Sequence, residues 1–186
     1  MKRFFDLILS ILLIIFLLVP MAIIALTVFS TSNGPIIYWS KRIGKRNITF
    51  TMPKFRTMKT ETPDIATHLM KEPKQFLSPI GGFLRRYSLD ELPQLFSIFK
   101  GDMSFIGPRP ALFNQYDLIN LRSEKKLDQL LPGLTGWAQV NGRDDLSIQS
   151  KVLLDVEYME KKSFFFDLYI LWLTFIRVIK KSGISH

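Results

Sequence analysis

The chain has 186 residues, of which 47% are hydrophobic, and a formal net charge of +9 at pH 7. Its length fits one domain with a real core, and the absence of cysteine excludes a disulfide framework and thiolate metal sites. The only histidines, His68 and His186, do not support a histidine metal site or a Ser-His-Asp triad. The positive charge predicts an anionic partner: nucleic acid, anionic lipid or a phosphorylated substrate.

A long apolar block runs from Phe4 to Phe29. As a helix it is long enough to cross a hydrocarbon core of roughly 30 Å. Pro20 lies near its middle, where the missing amide donor predicts a kink. Basic residues flank both ends: Lys2, Arg3, Lys41, Arg42, Lys45 and Arg46.

Because positive residues prefer the cytoplasmic side of a membrane, both ends of this block are expected on that side. Residues 1–32 are therefore predicted to form a re-entrant membrane hairpin, helix-break-helix, that dips into the bilayer and returns. A single spanning helix is the alternative.

Residues 33–186 are predicted to form a small mixed α/β domain that is mainly helical and membrane-associated. Two strands are expected in residues 34–44 and 47–58, joined by a turn at 44–47. A proline-containing loop follows, then helices in residues 80–88, 92–101, 111–131 and 147–162, with a turn-rich segment at 132–145.

The last apolar block, residues 163–183, is too short and too polar for a confident membrane span. Tyr169, Trp172 and the basic end predict an amphipathic helix in the headgroup region of a membrane. A core helix of a soluble domain is the alternative.

Two adjacent carboxylates, Asp90 and Glu91, stand among basic residues. Ser88 and Glu91 match a capping box, in which the acids simply begin a helix. Pro93 argues against a regular start, because it would fall where the helix needs an amide donor. A helix that begins later, or is distorted here, would leave the carboxylates free to point into a site.

Several cations lie near this pair or in constrained segments: Lys54, Arg85, Arg109 and Arg143. Arg109 is held between two prolines, which preset the direction of a guanidinium suited to phosphate oxygens. Each cation taken alone is better explained as a solvated surface charge than as a ligand. If they converge, they would neutralise a diphosphate, and a divalent metal on Asp90 or Glu91 would complete the site.

Three motifs follow the apolar block in order: KFRTM, LRRYSLDELPQLFSIFKGDMSFIGPRP and LPGLTGWAQVNGR. Together they closely resemble the bacterial sugar transferase family, the small monotopic phosphoglycosyl transferases that begin glycan assembly on a polyprenol lipid. The resemblance covers nearly the whole chain, which looks like the short form of the family. The family commonly has a serine before the membrane proline, and this chain has Val19 there, a departure that counts against the re-entrant interpretation.

The resemblance implies transfer of a sugar phosphate from a UDP-sugar to polyprenol (undecaprenyl) phosphate, with release of UMP. This is the first membrane step of bacterial glycan synthesis, on the cytoplasmic face of the inner membrane. The expected partners are the UDP-sugar, polyprenol phosphate and membrane lipid, with no nucleic acid. A homodimer is one candidate for the oligomeric state.

By the same resemblance, Asp90 is the nucleophile that forms a phosphosugar-aspartyl intermediate. Glu91 is its partner, with a role in Mg²⁺ binding or in activating the acceptor phosphate, and both acids are candidate metal ligands. Substrate phosphate is expected on Arg109, Lys54, Arg85 and Arg143. Asp155 matches an acidic position to which no role is assigned.

Two other interpretations remain. A non-catalytic, membrane-anchored basic module that binds anionic lipid or polyphosphate would treat the acidic pair as a capping box only. A single-pass nucleic-acid-binding protein would need aromatic residues interleaved with basic ones on an exposed platform, and the sequence offers only a poor version of that.

Overall fold

The computed structural model describes residues 1–63, 72–142 and 145–180 of the chain. Its helices and strands, in chain order, are α1 (Lys2–Thr31), β1 (Ile37–Ile43), β2 (Thr49–Phe55), α2 (Gly81–Arg86), α3 (Gln94–Lys100), β3 (Ser104–Ile106), α4 (Tyr116–Glu124), β4 (Gly133–Thr135), α5 (Trp137–Val140), α6 (Ile148–Lys161) and α7 (Phe164–Lys180). Short 3₁₀ turns occur at Lys45–Asn47, Pro73–Phe76, Leu89–Glu91 and Leu127–Gln129. The predicted class, mixed α/β and mainly helical, is confirmed.

The β-hairpin predicted in residues 34–58 is present as an antiparallel pair of strands. β1 and β2 pair from Ile37 opposite Phe55 to Ile43 opposite Thr49. The turn between them places Arg46 and Asn47 in the left-handed region, at φ 56° and 58°. The hairpin carries Lys54 on β2, the strand that contacts the turn Leu89–Glu91.

A second, parallel pair of strands was not predicted. β4 lies in the segment expected to be turn-rich, and β3 pairs with it. Ser104 is opposite Gly133 and Ile106 is opposite Thr135. Strands of three residues are too short to show an alternating pattern, so they could not be recognised from the sequence.

The helix predicted over residues 111–131 is shorter in the structure. Before it, the Ile43 amide donates to the Ala111 carbonyl, which ties this segment to β1. After it, Lys126 adopts φ 57°, which ends the helical path. Pairing with β1 therefore removes the start of the predicted helix, and the left-handed backbone of Lys126 removes its end.

The helix α1 runs without interruption from Lys2 to Thr31, with Pro20 inside it. The predicted break at the proline is therefore not seen as a gap in the helix, and the re-entrant path of this segment stays a prediction. In the described residues it is the one helix long and apolar enough to span a membrane, and 6% of its most apolar window is buried in the protein. Its apolar surface thus faces outward, as in a membrane anchor rather than a core helix.

α1 and α7 cover one side of the main core. Buried residues from α3, α6 and α7, such as Ile98, Tyr158 and Ile170, pack with part-buried leucines of α1. On its other side α7 exposes Phe165, Trp172 and Phe175. The helix predicted for this block is therefore present, and its amphipathic character and its location in the headgroup region of a membrane stay predictions.

Candidate active site

The acidic pair lies in an irregular turn between two helices. Asp90 and Glu91 belong to the 3₁₀ turn Leu89–Glu91, and α3 begins only after Pro93. Ser88 has φ 54° and its side chain accepts no capping hydrogen bond. The capping-box interpretation is therefore wrong, and the expected distorted helix start is confirmed. The reason is that the left-handed backbone of Ser88 directs the chain away from capping geometry.

Two cations from distant segments meet this pair. The Lys54 ammonium lies 2.8 Å from Oε1 of Glu91 and 3.8 Å from Oδ2 of Asp90. The Nη2 of Arg109 donates to the same Glu91 oxygen at 2.9 Å. Both carboxylates are buried, with 6% and 8% of their residue surfaces exposed. The structure thus brings together four of the predicted site residues.

Burial dominates the electrostatics of Asp90. It raises the pKa of this carboxyl, Glu91 raises it further, and the charges of Lys54, Arg85 and Arg109 only partly offset the rise. The side chain is nearly enclosed, and the turn that carries it is not the first turn of an α-helix.

Burial also lowers the pKa of the Lys54 ammonium below the ordinary lysine value of 10.5, although Glu91 and Asp90 raise it. A buried carboxyl with a raised pKa beside a buried amine with a lowered one is an arrangement often found at functional sites. Each of the two groups favours the charged form of the other, so the pKa of each depends on the presence of the other.

The remaining predicted residues lie at different distances from this centre. Arg85, on α2, donates from Nε to Oγ1 of Thr57 at 3.0 Å, and its charge acts on Asp90. Arg143 lies outside the described residues, so its contact with phosphate stays a prediction. Asp155 is buried on α6 and contacts Arg122 of α4 rather than the acidic pair.

Arg122 was missed by the sequence reasoning. It sits among charged residues in a helix and carries no motif signal of its own. The only sequence hint was the acidic match at Asp155, because a carboxylate in an apolar helix face requires a partner.

The acidic pair also suits a divalent metal. Mg²⁺ is usually held by one or two carboxylates together with water and substrate phosphates, and Asp90 with Glu91 supply such a donor set. No cluster of three or more metal-binding side chains occurs in the part of the chain that the structure describes. The donor set thus fits a Mg²⁺ ion whose other ligands are water and substrate phosphates. It does not fit a site in which the protein supplies every ligand.

Comparison with known proteins identifies the family. The sequence profile described as bacterial sugar transferase matches residues 1–181. The chain belongs to the bacterial sugar transferase family. The resemblance read from the three motifs is confirmed, and so is the predicted enzyme class, a transferase.

This sugar transferase is similar to several curated proteins. It is 38% identical over 190 residues to an uncharacterized sugar transferase, EpsL, of Bacillus subtilis, covering 100% of this chain and 91% of that protein. It is 37% identical to the undecaprenyl-phosphate glucose phosphotransferase of Komagataeibacter xylinus, covering 96% of this chain and 36% of the relative. For the undecaprenyl-phosphate galactose phosphotransferase of Salmonella typhimurium the identity is 33%, with 98% and 41% covered. The chain thus spans about two-fifths of the last two.

Proposed function

We propose that this protein transfers a sugar phosphate from a UDP-sugar to polyprenol phosphate and releases UMP. Two of its relatives are named as undecaprenyl-phosphate sugar phosphotransferases. The observation that carries the proposal is the buried Asp90, which stands beside Glu91 with Lys54 and Arg109 in contact with the pair. A carboxylate surrounded by cations is suited to react with an anionic diphosphate.

The reaction proceeds in two displacements at one phosphorus atom. A carboxylate oxygen of Asp90 bonds to the sugar-bearing phosphorus while the bridging P–O bond to UMP breaks, and UMP leaves with the electron pair. A phosphate oxygen of polyprenol phosphate then bonds to that phosphorus while the aspartyl O–P bond breaks. The products are polyprenol diphosphate sugar and the free Asp90 carboxylate.

The neighbouring side chains serve charge neutralisation and orientation. Lys54 and Arg109 hold Glu91 in place and present positive charge to the phosphates, with Arg85 contributing from α2. Mg²⁺ held by Asp90 or Glu91 would neutralise charge on the diphosphate. Because burial raises the pKa of Asp90, an arriving cation or phosphate-bound metal would favour its ionised, nucleophilic form.

The proposal includes a re-entrant membrane segment with both ends on the cytoplasmic face. Near its start, α1 is tied to α3, since Arg3 donates to the carbonyls of Ile98 and Phe99 at 2.5 and 2.6 Å. Near its end, Val28 is fully buried against Phe55 and Leu84. Both ends therefore contact one domain, and this supports their location on one side of a bilayer.

The proposal is tested with purified protein, Mg²⁺, polyprenol phosphate and a panel of UDP-sugars, by measuring UMP release. We expect UMP from at least one sugar, and a single-turnover adduct whose mass equals protein plus sugar phosphate, located on Asp90 by peptide mapping. The variant Asp90→Asn should lose adduct and turnover by at least about 10³-fold.

The matched control is Asp102→Asn, which removes a carboxylate that pairs with Lys100 near the surface. It should turn over at the rate of the unsubstituted protein. Full turnover by Asp90→Asn, or an adduct mapped to another residue, would overturn the covalent mechanism. No UMP from a broad panel would overturn the reaction itself.

A further inference from the structure

The segment that carries Arg109 is held by its backbone carbonyls. The Pro108 carbonyl accepts from the Gly133 amide, and the Ala111 carbonyl accepts from the Ile43 amide, both at 2.9 Å. Pro108 and Pro110 lack amide donors, so the carbonyls are the main means of fixing this segment.

The two carbonyls between these are held by arginine side chains instead. Arg42 donates from Nη1 to the Pro110 carbonyl at 3.2 Å, and Arg122 donates from Nη1 to the Arg109 carbonyl at 2.7 Å. The residue that reaches Glu91 is thus itself held at its backbone by Arg122.

Arg122 is in turn fixed by one carboxylate. Its Nε and Nη2 both donate to Oδ2 of Asp155, at 3.0 and 2.7 Å. The side chains of Arg122 and Asp155 are 12% and 2% exposed. A continuous chain of contacts therefore runs from Asp155 on α6 through Arg122 on α4 and the Arg109 backbone to Glu91.

We propose that Arg122 and Asp155 are positioning residues, which orient Arg109 for the reaction without contacting substrate. This inference rests on the proposed function and adds two residues to it. A buried ion pair is weak evidence for stability alone, because its desolvation offsets much of its attraction. A guanidinium, in contrast, can make three directed hydrogen bonds at once, and here all three serve the placement of one backbone carbonyl.

A structural role alone is the competing explanation, since the pair also joins α4 to α6. The two explanations differ in how the effect of Arg122 depends on Arg109. If Arg122 acts through Arg109, its replacement should matter little once Arg109 is altered. If it acts only on the fold, the factors by which the two single substitutions lower kcat/KM should multiply in the double variant.

The experiment is a double-mutant cycle on UMP release with Arg122→Lys and Arg109→Lys. A lysine keeps the charge but cannot make the three contacts of Arg122. We expect Arg122→Lys to lower kcat/KM by about 10- to 100-fold in the unsubstituted protein, and by less than about 2-fold in the Arg109→Lys background. Equal factors in both backgrounds, or no loss in either, would overturn the proposal.

Asp155→Asn provides a second variant that keeps an acceptor oxygen and the side-chain shape. Asp155→Asn should lower kcat/KM less than Arg122→Lys does. Its effect should likewise nearly disappear in the Arg109→Lys background. Lys161→Met is the control, because it removes an exposed ion pair of the same helix α6. It should leave turnover unchanged in both backgrounds.

A readout that needs no turnover separates this proposal from the proposed function. The Nε–Hε signal of Arg109, assigned with Arg109→Lys in a ¹⁵N-arginine-labelled sample, reports the order of its guanidinium. We expect Arg122→Lys to broaden or shift this signal and to speed its exchange with water, whereas Lys161→Met does neither. An unchanged Arg109 signal overturns the positioning role, even if no UDP-sugar yields UMP. A changed signal without UMP release would support the positioning role while the proposed reaction fails.

Discussion

Lys54 contacts the two adjacent carboxylates unequally: its Nζ lies 2.8 Å from Oε1 of Glu91 and 3.8 Å from Oδ2 of Asp90. Glu91 also accepts the bond from Arg109, so it carries most of the direct cation contacts. Asp90 interacts with the cations mainly by Coulombic attraction and not by short contacts. This division suits a pair in which one acid organises cations and the other reacts.

The pH dependence of kcat/KM should therefore be bell-shaped. Its acid limb should lie at a higher pH, and its alkaline limb at a lower pH, than the ordinary pKa values of the two groups imply. The acid limb reports Asp90, whose pKa lies above the ordinary 3.8, and the alkaline limb reports Lys54, whose pKa lies below the ordinary 10.5. In Lys54→Arg the alkaline limb should move to higher pH, because a guanidinium stays charged beyond pH 12. Initial rates of UMP release between about pH 5 and 10 test this.

Lys100→Arg is the control for that measurement, since Lys100 is exposed and pairs with Asp102, away from the acidic pair. Its profile should overlay that of the unsubstituted protein. An alkaline limb that does not move in Lys54→Arg would contradict the assignment of this limb to Lys54.

Asp90→Asn should stabilise the fold at pH 8. Because the pKa of Asp90 is raised on folding, the folded state binds its proton more tightly than the unfolded chain. The stability that this group contributes is present below the unfolded pKa and is lost as the pH rises through the folded pKa. Removing the buried charge should raise Tm by roughly 2–4 °C at pH 8.

This gain should shrink toward pH 4, because the raised pKa makes folded Asp90 take up its proton at a higher pH than an ordinary aspartate does. Thermal unfolding followed by circular dichroism at both pH values measures the difference. Asp102→Asn, with its shallow carboxylate, should show no gain at either pH. A lower Tm for Asp90→Asn at pH 8 would mean that its attraction to the cations exceeds its desolvation.

Close backbone contacts beneath the Arg109 segment should make Gly133 intolerant of substitution. A Cβ at Gly133 would collide with backbone atoms of Gly107 and Thr135, which cannot yield without separating β3 from β4. We expect Gly133→Ala to reduce the free energy of unfolding by about 2–3 kcal/mol. Gly82→Ala is the matched control, because its Cβ would meet only Leu77 Cδ1 at 3.8 Å.

Denaturant unfolding of both glycine variants tests this prediction. Equal stability of the two proteins would show that β3 and β4 can separate without loss. A stable but inactive Gly133→Ala would instead place the effect in the Arg109 segment alone.

The proposed membrane topology predicts that both ends of α1 are labelled from the same side. The chain has no native cysteine, so a single cysteine in an N-terminal extension, or in Asn33→Cys, can be probed with an impermeant maleimide. In intact spheroplasts neither should react, whereas in inside-out vesicles both should. Labelling of one position in spheroplasts would support a single span instead.

Much of the site could be recognised from linear patterns. The adjacent acids, the proline-flanked Arg109 and the awkward position of Pro93 are local features, and they predicted both the residues and the irregular helix start. The apolar block predicted α1, because length and composition suffice to identify such a helix.

Contacts between distant segments decided the rest. The sequence by itself determined the class of protein and the acidic pair, since short-range order and motif spacing are written along the chain. Only the tertiary structure placed Lys54 against Glu91, connected Asp155 to Arg109 through Arg122, and paired β3 with β4. It also revealed that burial raises the pKa of Asp90, because burial is a property of the assembled fold and no residue's neighbours in sequence reveal it.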